Sequence, residues 1–214
     1  PLFNSSIKYL HCAPLFLFNR IIPFFRPFCK QFFNRTDFNL ILVDLPVIIL
    51  TIKALKDKIV IIRRATEKDI SGIINLLYQV SKVHYECRPD IFEPDTKKYS
   101  ASEIKEILED YSRPIFVAAD ETGKVAGYCF CVIQRNGGGV LKRFKTLYID
   151  DLCVDESLRG KGIGGALLDY ATAFAKAEKC HNITLNVWVG NDAAISFYEN
   201  KGLTPQKIVL EKKL

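Results

Sequence analysis

The sequence predicts an α/β domain in which helices cover both faces of a mixed β-sheet. Segments rich in β-branched and aromatic residues alternate along the chain with segments whose apolar residues recur at the helical period. Two strand segments, Ile115–Ala119 and Val125–Gln134, are joined by a short turn that contains Gly123, which indicates a hairpin. Strands and helices then alternate as β-α-β-α. This order combines antiparallel and parallel pairs in one sheet.

The first elements of the domain are a strand and two helices. Val60–Arg64 has the composition of a strand, and Thr66–Asp69 is a capping box that opens a helix ending near Tyr85. Two prolines fix the connecting loop Cys87–Pro94. Ser100–Glu103 is a second capping box, so we expect a second helix before the hairpin.

The second half of the domain is centred on one strand and the helix that follows it. Asn136–Gly139 indicates a loop, and Tyr148–Asp155 has the β-branched and aromatic composition of a strand. The apolar stripe that starts at Ile163 predicts a helix. Ile183–Val189 predicts a further strand, and a last helix is expected after Asn191.

Residues 1–59 differ from the rest of the chain in composition and pattern. They contain nine of the 15 phenylalanines, and no helical or strand period holds for long. The best membrane candidate, Phe38–Ile52, has about 15 residues including Asp44 and Pro46, whereas a spanning helix needs roughly 20. We interpret residues 1–59 as an extension, disordered or foreign to the natural protein, with a weakly membrane-associating tail as the alternative. The folded domain is expected to span residues 60–214.

Charge and cysteine content argue against nucleic-acid and metal binding. The formal net charge is +6, but residues 1–59 carry eight Lys or Arg and three Asp, so the remaining domain is nearly neutral. Such a domain lacks the basic surface that nucleic acid requires. The seven cysteines and three histidines form no cluster with metal-ligand spacing. We expect no metal, no nucleic acid and no membrane partner for the domain, and free thiols in a reducing cytoplasm.

The central strand leads into a glycine-rich turn, Arg159–Gly165, that opens the following helix. Backbone N–H groups at a helix N-terminus lack partners within the helix, and together with the helix dipole they bind phosphate. The P-loop pattern fails because no Ser or Thr follows Lys161. The dinucleotide pattern is matched by Gly160, Gly162 and Gly165, but residues from Asp155 to Arg159 intervene before the first glycine, and too little chain follows for a nucleotide domain.

Two motifs in this half of the chain resemble the signatures of the GNAT acyltransferases. Arg159, Gly162 and Gly164 match R/Q-x-x-G-x-G/A, the coenzyme A motif of that family, between a strand and a helix. Downstream, Asn191–Leu203 matches the second signature, N-x-x-A-x-x-F-Y-x-x-x-G-F/L. The resemblance covers residues 60–214. It implies a mostly antiparallel central sheet of about six to seven strands with helices on both faces and a splay between the two central parallel strands.

The resemblance also implies an N-acetyltransferase that uses acetyl-CoA, needs no metal and forms no covalent enzyme intermediate. The splayed strand would pair with the pantetheine arm and polarise the thioester carbonyl, the turn would hold the pyrophosphate, and the start of the last helix would contact the pantetheine. The implied cofactor-binding residues are Leu152, Cys153, Val154, Arg159, Gly160, Lys161, Gly162, Ile163, Gly164, Gly165 and Asn191.

Three side chains are candidates for the chemistry. Tyr198 matches the family's tyrosine that protonates the leaving thiolate, although a tyrosine at this position of an amphipathic helix is also ordinary core. Relatives with a similar acidic pair place the amine-facing base at the position of Asp150, so Asp150 is the predicted base. Successive strand residues face opposite sides, so we expect only one of Asp150 and Asp151 to face a given cleft, with a loop-capping role for the other as the alternative.

The acceptor pocket is expected where the first helix ends and its loop begins. Glu86, Asp90, Phe92 and Asp151 are the predicted substrate-binding residues, and Trp188 is predicted to be core. The expected acceptor is a primary amine of a small molecule, such as a polyamine, amino sugar or amino acid. A protein N-terminus or lysine is the alternative within the family, and an acyl-CoA-binding regulatory module without turnover is the alternative outside it. A homodimer is a further prediction.

Overall fold

A mixed six-stranded sheet forms the centre of residues 52–55 and 58–214, the part of the chain that the computed structural model describes. The strands are β1 (Ile52–Leu55), β2 (Lys58–Arg64), β3 (Ile115–Asp120), β4 (Val125–Gly138), β5 (Leu141–Val154) and β6 (Asn182–Thr184). The helices are α1 (Ile70–Cys87), α2 (Ala101–Glu109), α3 (Ile163–Ala177) and α4 (Asp192–Asn200), and short 3₁₀ turns occur at Glu67–Asp69 and Glu156–Leu158.

The strands lie in the sheet in the same order as in the chain. All neighbours from β1 to β5 are antiparallel, and only β5 and β6 are parallel, with Thr146 opposite Asn182 and Tyr148 opposite Thr184. The crossover between these parallel strands is α3, as parallel pairing requires. The predicted mixed, mostly antiparallel sheet is confirmed.

Helices cover both faces of the sheet, because the strands bury apolar side chains on each side. In β3, Phe116 and Ala118 belong to the core beneath α3, whereas Ile115 and Val117 belong to the core beneath α1 and α2. This period-two alternation with burial on both faces is typical of a central strand. The sheet thereby separates an α3 side, which α4 joins, from an α1–α2 side.

Both predicted capping boxes are present. Ser100 accepts a hydrogen bond from the Glu103 amide, and the Glu103 carboxylate accepts one from the Ser100 amide at 2.7 Å. At the other box, Asp69 accepts from the Thr66 amide at 2.7 Å and also forms a bidentate pair with Arg63. Because Asp69 is 1% exposed, these hydrogen bonds provide the partners that a buried carboxylate needs.

The structure corrects the lengths of three predicted elements. Asn136–Gly139 is part of a long hairpin rather than a separate loop, because β4 runs to Gly138 and β5 begins at Leu141. The strand predicted at Ile183–Val189 is limited to Asn182–Thr184. Beyond it, the Asn186 side chain donates to the Tyr148 hydroxyl at 3.1 Å, and the chain turns at Gly190 with a φ of +97°. Beyond Thr184, this segment therefore contacts β5 through a side-chain hydrogen bond rather than through strand pairing.

The sheet extends upstream of the predicted domain start. β2 begins at Lys58 rather than Val60, and β1 pairs with it through Ile52 opposite Ile61. The boundary between residues 59 and 60 stays a prediction, and the interpretation of the earlier extension falls mostly outside the described residues. Among the residues that the structure describes, no helix combines the length and the apolar character needed to cross a bilayer.

Candidate active site

The central feature of the site is the point where β5 and β6 separate. Their pairing ends at Tyr148 and Thr184, but β5 continues to Val154. On its other edge this stretch stays paired with β4, where Leu152 lies opposite Cys129 and Val154 opposite Gly127. Toward β6, the described residues show no strand partner for it. The backbone at Leu152, Cys153 and Val154 therefore has one edge able to pair with an extended ligand.

The open edge leads directly into the glycine-rich turn. One 3₁₀ turn, Glu156–Leu158, follows β5, and α3 then begins at Ile163 with Gly162 as its N-cap. Gly160 and Gly162 have φ values of +76° and +81°, a backbone conformation that favours glycine. Since the first hydrogen bond of α3 joins the Ala166 amide to the Gly162 carbonyl at 3.1 Å, the amides of the first turn remain free for an anion.

The remaining residues of the turn have distinct surroundings. Arg159 donates from Nε to the Val154 carbonyl at 3.2 Å, which holds its guanidinium at the end of the open edge, and Lys161 is exposed. A Cβ added to Gly164 would contact the Phe197 ring at 3.5 Å, and one on Gly165 would lie 2.9 Å from the Lys201 side chain. Glycine at these two positions thus makes room for the Phe197 ring and the Lys201 side chain.

A β-bulge places both predicted carboxylates on the same side of the sheet. Phe130 lies opposite Asp151, but the next residue, Cys131, lies opposite Ile149, so Asp150 is the extra residue. A bulge interrupts the alternation of a strand and re-aims side chains. The expectation that only one of the two acids could face a given cleft is wrong for this reason.

Asp150 is held by two residues from the loop between α1 and α2. The Tyr99 hydroxyl donates to Asp150 Oδ2 at 2.6 Å, and Lys98 Nζ lies 2.8 Å from Oδ1. Tyr99 stacks on Phe130 with the ring centroids 5.2 Å apart. Sequence reasoning missed Lys98 and Tyr99, because they lie about 50 residues upstream and no local pattern marks them.

Asp151 is enclosed more completely than Asp150. It is 8% exposed, and its Oδ2 accepts a hydrogen bond from the Tyr128 hydroxyl at 2.8 Å. Burial raises the pKa of Asp151 to about 6, because desolvation disfavours the ionised carboxylate. Asp151 is therefore a carboxylate that can gain or lose a proton near neutral pH. Sequence reasoning also missed Tyr128, since the hairpin register that sets this contact is not visible in the sequence.

Tyr198 comes to the same region from α4. It packs against the core on the α3 side, and its ring lies 4.9 Å from that of Phe197. Burial raises the pKa of the Tyr198 phenol, and electrostatic interaction with Cys129, Asp151 and Cys131 raises it further. Tyr198 consequently keeps its proton at neutral pH and can act as a donor.

Asn191 is the N-cap of α4. Its side-chain oxygen accepts a hydrogen bond from the Ala194 amide at 3.2 Å. The carbonyl half of this side chain is thus used to begin the helix that carries Tyr198. The amide nitrogen is the part of Asn191 that could contact a ligand.

The predicted acceptor residues have unequal surroundings. Phe92 lies between His84 and Trp188, with ring centroids 5.1 and 5.5 Å away. Trp188 is 39% exposed and has the Arg88 guanidinium 5.4 Å from its ring, so the prediction that Trp188 belongs to the core is wrong. Its position beyond β6, where the chain leaves the sheet, explains the exposure.

The two predicted acidic acceptor residues are less suited to substrate. Asp90 is paired with Arg88 at 2.9 Å and with Lys213 at 2.7 Å, and these hydrogen bonds hold its pKa well below the usual range. Glu86 is exposed in the last turn of α1. Their role as substrate-binding residues stays a prediction.

The arrangement fits a long, anionic ligand. An extended arm can pair with β5 at residues 152–154, and its phosphates can meet the free amides of Gly162–Gly165 and the Arg159 side chain. The carboxylates and Tyr198 then flank the strand just upstream of that edge. In the described part of the chain, no group of three or more His, Cys, Asp or Glu is arranged to hold a metal.

Comparison of the sequence with family models identifies the family. The model of the acetyltransferase (GNAT) family matches residues 77–203. The chain is 26% identical over 148 residues to an uncharacterized N-acetyltransferase, MJ1207, of Methanocaldococcus jannaschii. That match covers 69% of this chain and 62% of the relative, so the chain spans less than two thirds of the relative's length.

Solved structures share the fold. A variant of the BH1408 protein from Bacillus halodurans superposes with a TM-score of 0.69 and 32% identity, covering 72% of this chain and 99% of that one. The aminoglycoside N-acetyltransferase AAC(6')-Iy, solved in complex with CoA, superposes with a TM-score of 0.53 and 14% identity, covering 72% and 98%. At 14% identity this second likeness concerns the fold alone. The family match over more than half of the chain, on a sheet with this splay and turn, shows that the chain belongs to the GNAT acetyltransferase family.

Proposed function

We propose that the protein is an N-acetyltransferase that transfers the acetyl group of acetyl-CoA to a primary amine of a small molecule. The observation that carries this proposal is the open edge of β5 at residues 152–154, which ends at an anion-binding turn and begins beside two carboxylates. A thioester bound along this edge would lie between groups that can accept a proton from an amine and a phenol that can donate one to a thiolate.

The backbone and the turn hold acetyl-CoA, which supplies the activated acetyl group. Leu152, Cys153 and Val154 pair with the pantetheine arm, and one of their amides donates to the thioester carbonyl. The first-turn amides of α3 and the Arg159 side chain bind the pyrophosphate. Lys161, Gly160 and Asn191 complete the set of residues in contact with the coenzyme.

The two acids divide the work on the amine. Asp150, fixed by Tyr99, binds the acceptor ammonium, and Asp151 takes the proton. The observations that favour Asp151 as the base are its burial and its pKa of about 6, which suits proton uptake at neutral pH. This differs from the sequence prediction, in which Asp150 is the base, and the two variants Asp150→Asn and Asp151→Asn distinguish the assignments.

The leaving thiolate receives its proton from Tyr198, whose raised pKa keeps the phenol protonated. Attack by the amine is direct. Burial raises the pKa of the Cys153 thiol to about 12. The hydrogen bond with Cys131, and then burial, raise the pKa of the Cys129 thiol well above its usual range, so neither thiol ionises near neutral pH. A protonated thiol is a poor nucleophile, which argues against an acyl-cysteine intermediate.

A small-molecule acceptor is favoured by what covers the approach to Asp150. The loop between α1 and α2 contacts it through Lys98 and Tyr99. The end of the described chain crosses the same loop through ion pairs of Glu211 with Arg88 and Lys213 with Asp90. A protein acceptor needs an open groove beside Asp150. These ion pairs instead hold the end of the described chain against the loop that contacts Asp150. The five cysteines that the structure describes are free, which suits the cytoplasm.

The test is a panel of primary amines with acetyl-CoA, read by mass spectrometry of the products, beside calorimetry of acetyl-CoA binding. We expect acetyl-CoA to bind and at least one small amine to be acetylated. Acetyl-CoA binding without turnover on any amine would favour the non-catalytic module. Acetylation of peptide N-termini or lysines, but not of small amines, would favour the protein-directed alternative.

A further inference from the structure

An ion pair occupies the place where the acceptor amine is proposed to bind. Lys98 Nζ lies 2.8 Å from Asp150 Oδ1 and donates to the Asp150 carbonyl oxygen at 3.2 Å. The Lys98 side chain is 42% exposed and that of Asp150 is 18% exposed. A half-exposed pair of this kind contributes little to stability, so either charge can exchange its partner at small cost.

Asp150 keeps its orientation when Lys98 moves away. Its Oδ2 accepts from the Tyr99 hydroxyl at 2.6 Å, and Tyr99 is itself held by stacking on Phe130. Lys98, by contrast, lies on the loop between α1 and α2, and its long side chain has several rotatable bonds. Asp150 Oδ1 can therefore exchange the Lys98 ammonium for the ammonium of a ligand. Lys98 then stays nearby as an unpaired cation.

We propose that the acceptor is a free α-amino acid, whose ammonium binds Asp150 and whose carboxylate binds Lys98. This inference rests on the N-acetyltransferase function proposed above. A zwitterion replaces the internal ion pair charge for charge, so no charge is left without a partner in the site. An amine without a carboxylate would displace Lys98 from Asp150 and leave the Lys98 ammonium without a counter-ion.

The cations around Asp150 disfavour the other acceptor classes. Lys97, whose Nζ donates to the Tyr78 hydroxyl at 3.0 Å, is next to Lys98, and Arg113 interacts with the Tyr99 hydroxyl. A polyamine or an aminoglycoside would bring further positive charges toward these three side chains. A peptide N-terminus has an amide in place of the carboxylate, so it would not compensate Lys98.

The transfer balances with the groups present. The amino-acid ammonium gives one proton to a site carboxylate, and its nitrogen forms a bond to the acetyl carbon as the carbon–sulfur bond breaks. Tyr198 gives its proton to the thiolate, the second proton of the nitrogen replaces it on Tyr198 through water, and the proton held by the carboxylate passes to solvent. The products are an N-acetyl amino acid, free coenzyme A and one proton released to solvent.

The experiment compares each α-amino acid that has a primary amine with two analogues, its carboxamide and its decarboxylated amine. The two analogues lack the carboxylate and bracket the acid in amine basicity. We measure kcat/KM for all three with the full chain, and binding of the acid and its carboxamide by calorimetry in the presence of coenzyme A. For the preferred side chain we expect the acid to exceed both analogues about tenfold or more, as expected for one charge-assisted contact.

The Lys98→Met variant tests the assigned residue, with Lys97→Met as the matched control. In Lys98→Met the ratio of kcat/KM for the acid to kcat/KM for each analogue should fall to about one. The KM for the decarboxylated amine should also fall, because the Lys98 ammonium no longer competes with the amine for Asp150. Lys97→Met should keep the preference. Equal use of acids and analogues by the unaltered chain, or an unchanged preference in Lys98→Met, overturns the inference while the proposed function stands. Failure to acetylate any primary amine overturns both.

Discussion

Asp150 and Asp151 are neighbours in the chain, yet their surroundings differ in every respect that matters for acid–base chemistry. Asp150 is paired with Lys98 and accepts from Tyr99, whereas Asp151 is enclosed and accepts a single side-chain hydrogen bond from Tyr128. Desolvation dominates at Asp151 and raises its pKa to about 6. The bulge that turns both acids to one side makes this contrast possible.

Asp151→Asn should stabilise the fold at neutral pH. Because the folded-state pKa of about 6 exceeds the ordinary value of 3.8, the native state binds the proton more tightly than the unfolded chain. The free energy of unfolding therefore falls as pH rises from about 4 to about 6, by up to about 3 kcal/mol. Asparagine does not ionise, so the variant avoids that loss. Denaturant unfolding should give a larger free energy of unfolding for Asp151→Asn than for the unaltered chain at pH 7.5, and equal values at pH 4.

The control for this prediction is Asp110→Asn. Hydrogen bonds from the Ser112 hydroxyl and amide lower the pKa of Asp110, so its contribution to stability is present above its ordinary pKa and is lost at lower pH. Asp110→Asn should therefore destabilise at pH 7.5, the opposite direction. A loss of stability in Asp151→Asn at pH 7.5 would mean that the charged form of Asp151 is needed for folding rather than tolerated for function.

Tyr198→Phe should lower kcat on the order of 10²-fold with little change in acetyl-CoA affinity, since only the proton for the leaving thiolate is lost. Tyr170→Phe is the matched control, because Tyr170 packs against the same core and burial also raises its pKa. Steady-state kinetics and calorimetry check both variants. Equal losses of kcat in the two variants would point to core packing instead of proton donation.

Among the elements, the junction of β5, the turn and α3 brings the N-terminal amides of the helix to the end of one open strand edge. α4 is fitted to the same helix, because Gly164 and Gly165 leave room for Phe197 and Lys201, and Lys201 Nζ pairs with Asp169 at 3.1 Å. This packing brings Tyr198 toward β5. The packing of α3 against α4 thus positions both the glycine-rich turn and Tyr198.

Gly162→Asp should weaken acetyl-CoA binding more than tenfold, because it adds a negative charge at the N-cap where the pyrophosphate is proposed to bind. Aspartate is a favourable N-cap, so the helix should still form despite the positive φ. Gly123→Asp, at a φ of +86° in the β3–β4 turn, carries the same backbone cost away from the site. Calorimetry should show normal affinity for Gly123→Asp, and normal affinity for Gly162→Asp in a folded protein would refute the phosphate assignment.

At the scale of the whole molecule, the sheet is a sequential meander from β1 to β5 that closes with one parallel crossover to β6. The meander forms a continuous wall between two apolar cores, and the crossover creates the only departure from antiparallel pairing among the described strands. The site forms at that departure, because two parallel neighbours that diverge leave one strand edge open.

The residues ahead of β1 should be dispensable for folding. We expect a chain that starts at residue 51 to keep the Tm and the acetyl-CoA affinity of the full chain and to be more soluble, because it lacks the phenylalanine-rich stretch. A chain that starts at Val60 removes β1 and the first two residues of β2, so its Tm should be lower. Thermal unfolding of the three chains tests where the folded domain begins. Equal Tm values for the chains that start at Val60 and at residue 51 would mean that the domain begins at Val60.

The elements whose signals are local could be predicted from the sequence. Ser100 with Glu103 and Thr66 with Asp69 begin helices through contacts three residues apart, and glycines at Gly160 and Gly162 supply backbone conformations that other residues avoid. The two family motifs are likewise continuous stretches of chain. These features depend on chemistry within a few residues, so they can be read without knowing where the chain goes next.

The features that depend on strand register and on packing between distant residues could be recognised only in the folded structure. Only the pairing of β4 with β5 reveals the bulge at Asp150, and the bulge is the reason that both acids lie on one side of the sheet instead of on opposite sides. Only the path of the loop between α1 and α2 brings Lys98 and Tyr99 to Asp150. A one-residue change of register turns a side chain to the other face of a sheet, and no local pattern encodes it. The scaffold of the site was therefore predictable, and its charge arrangement was not.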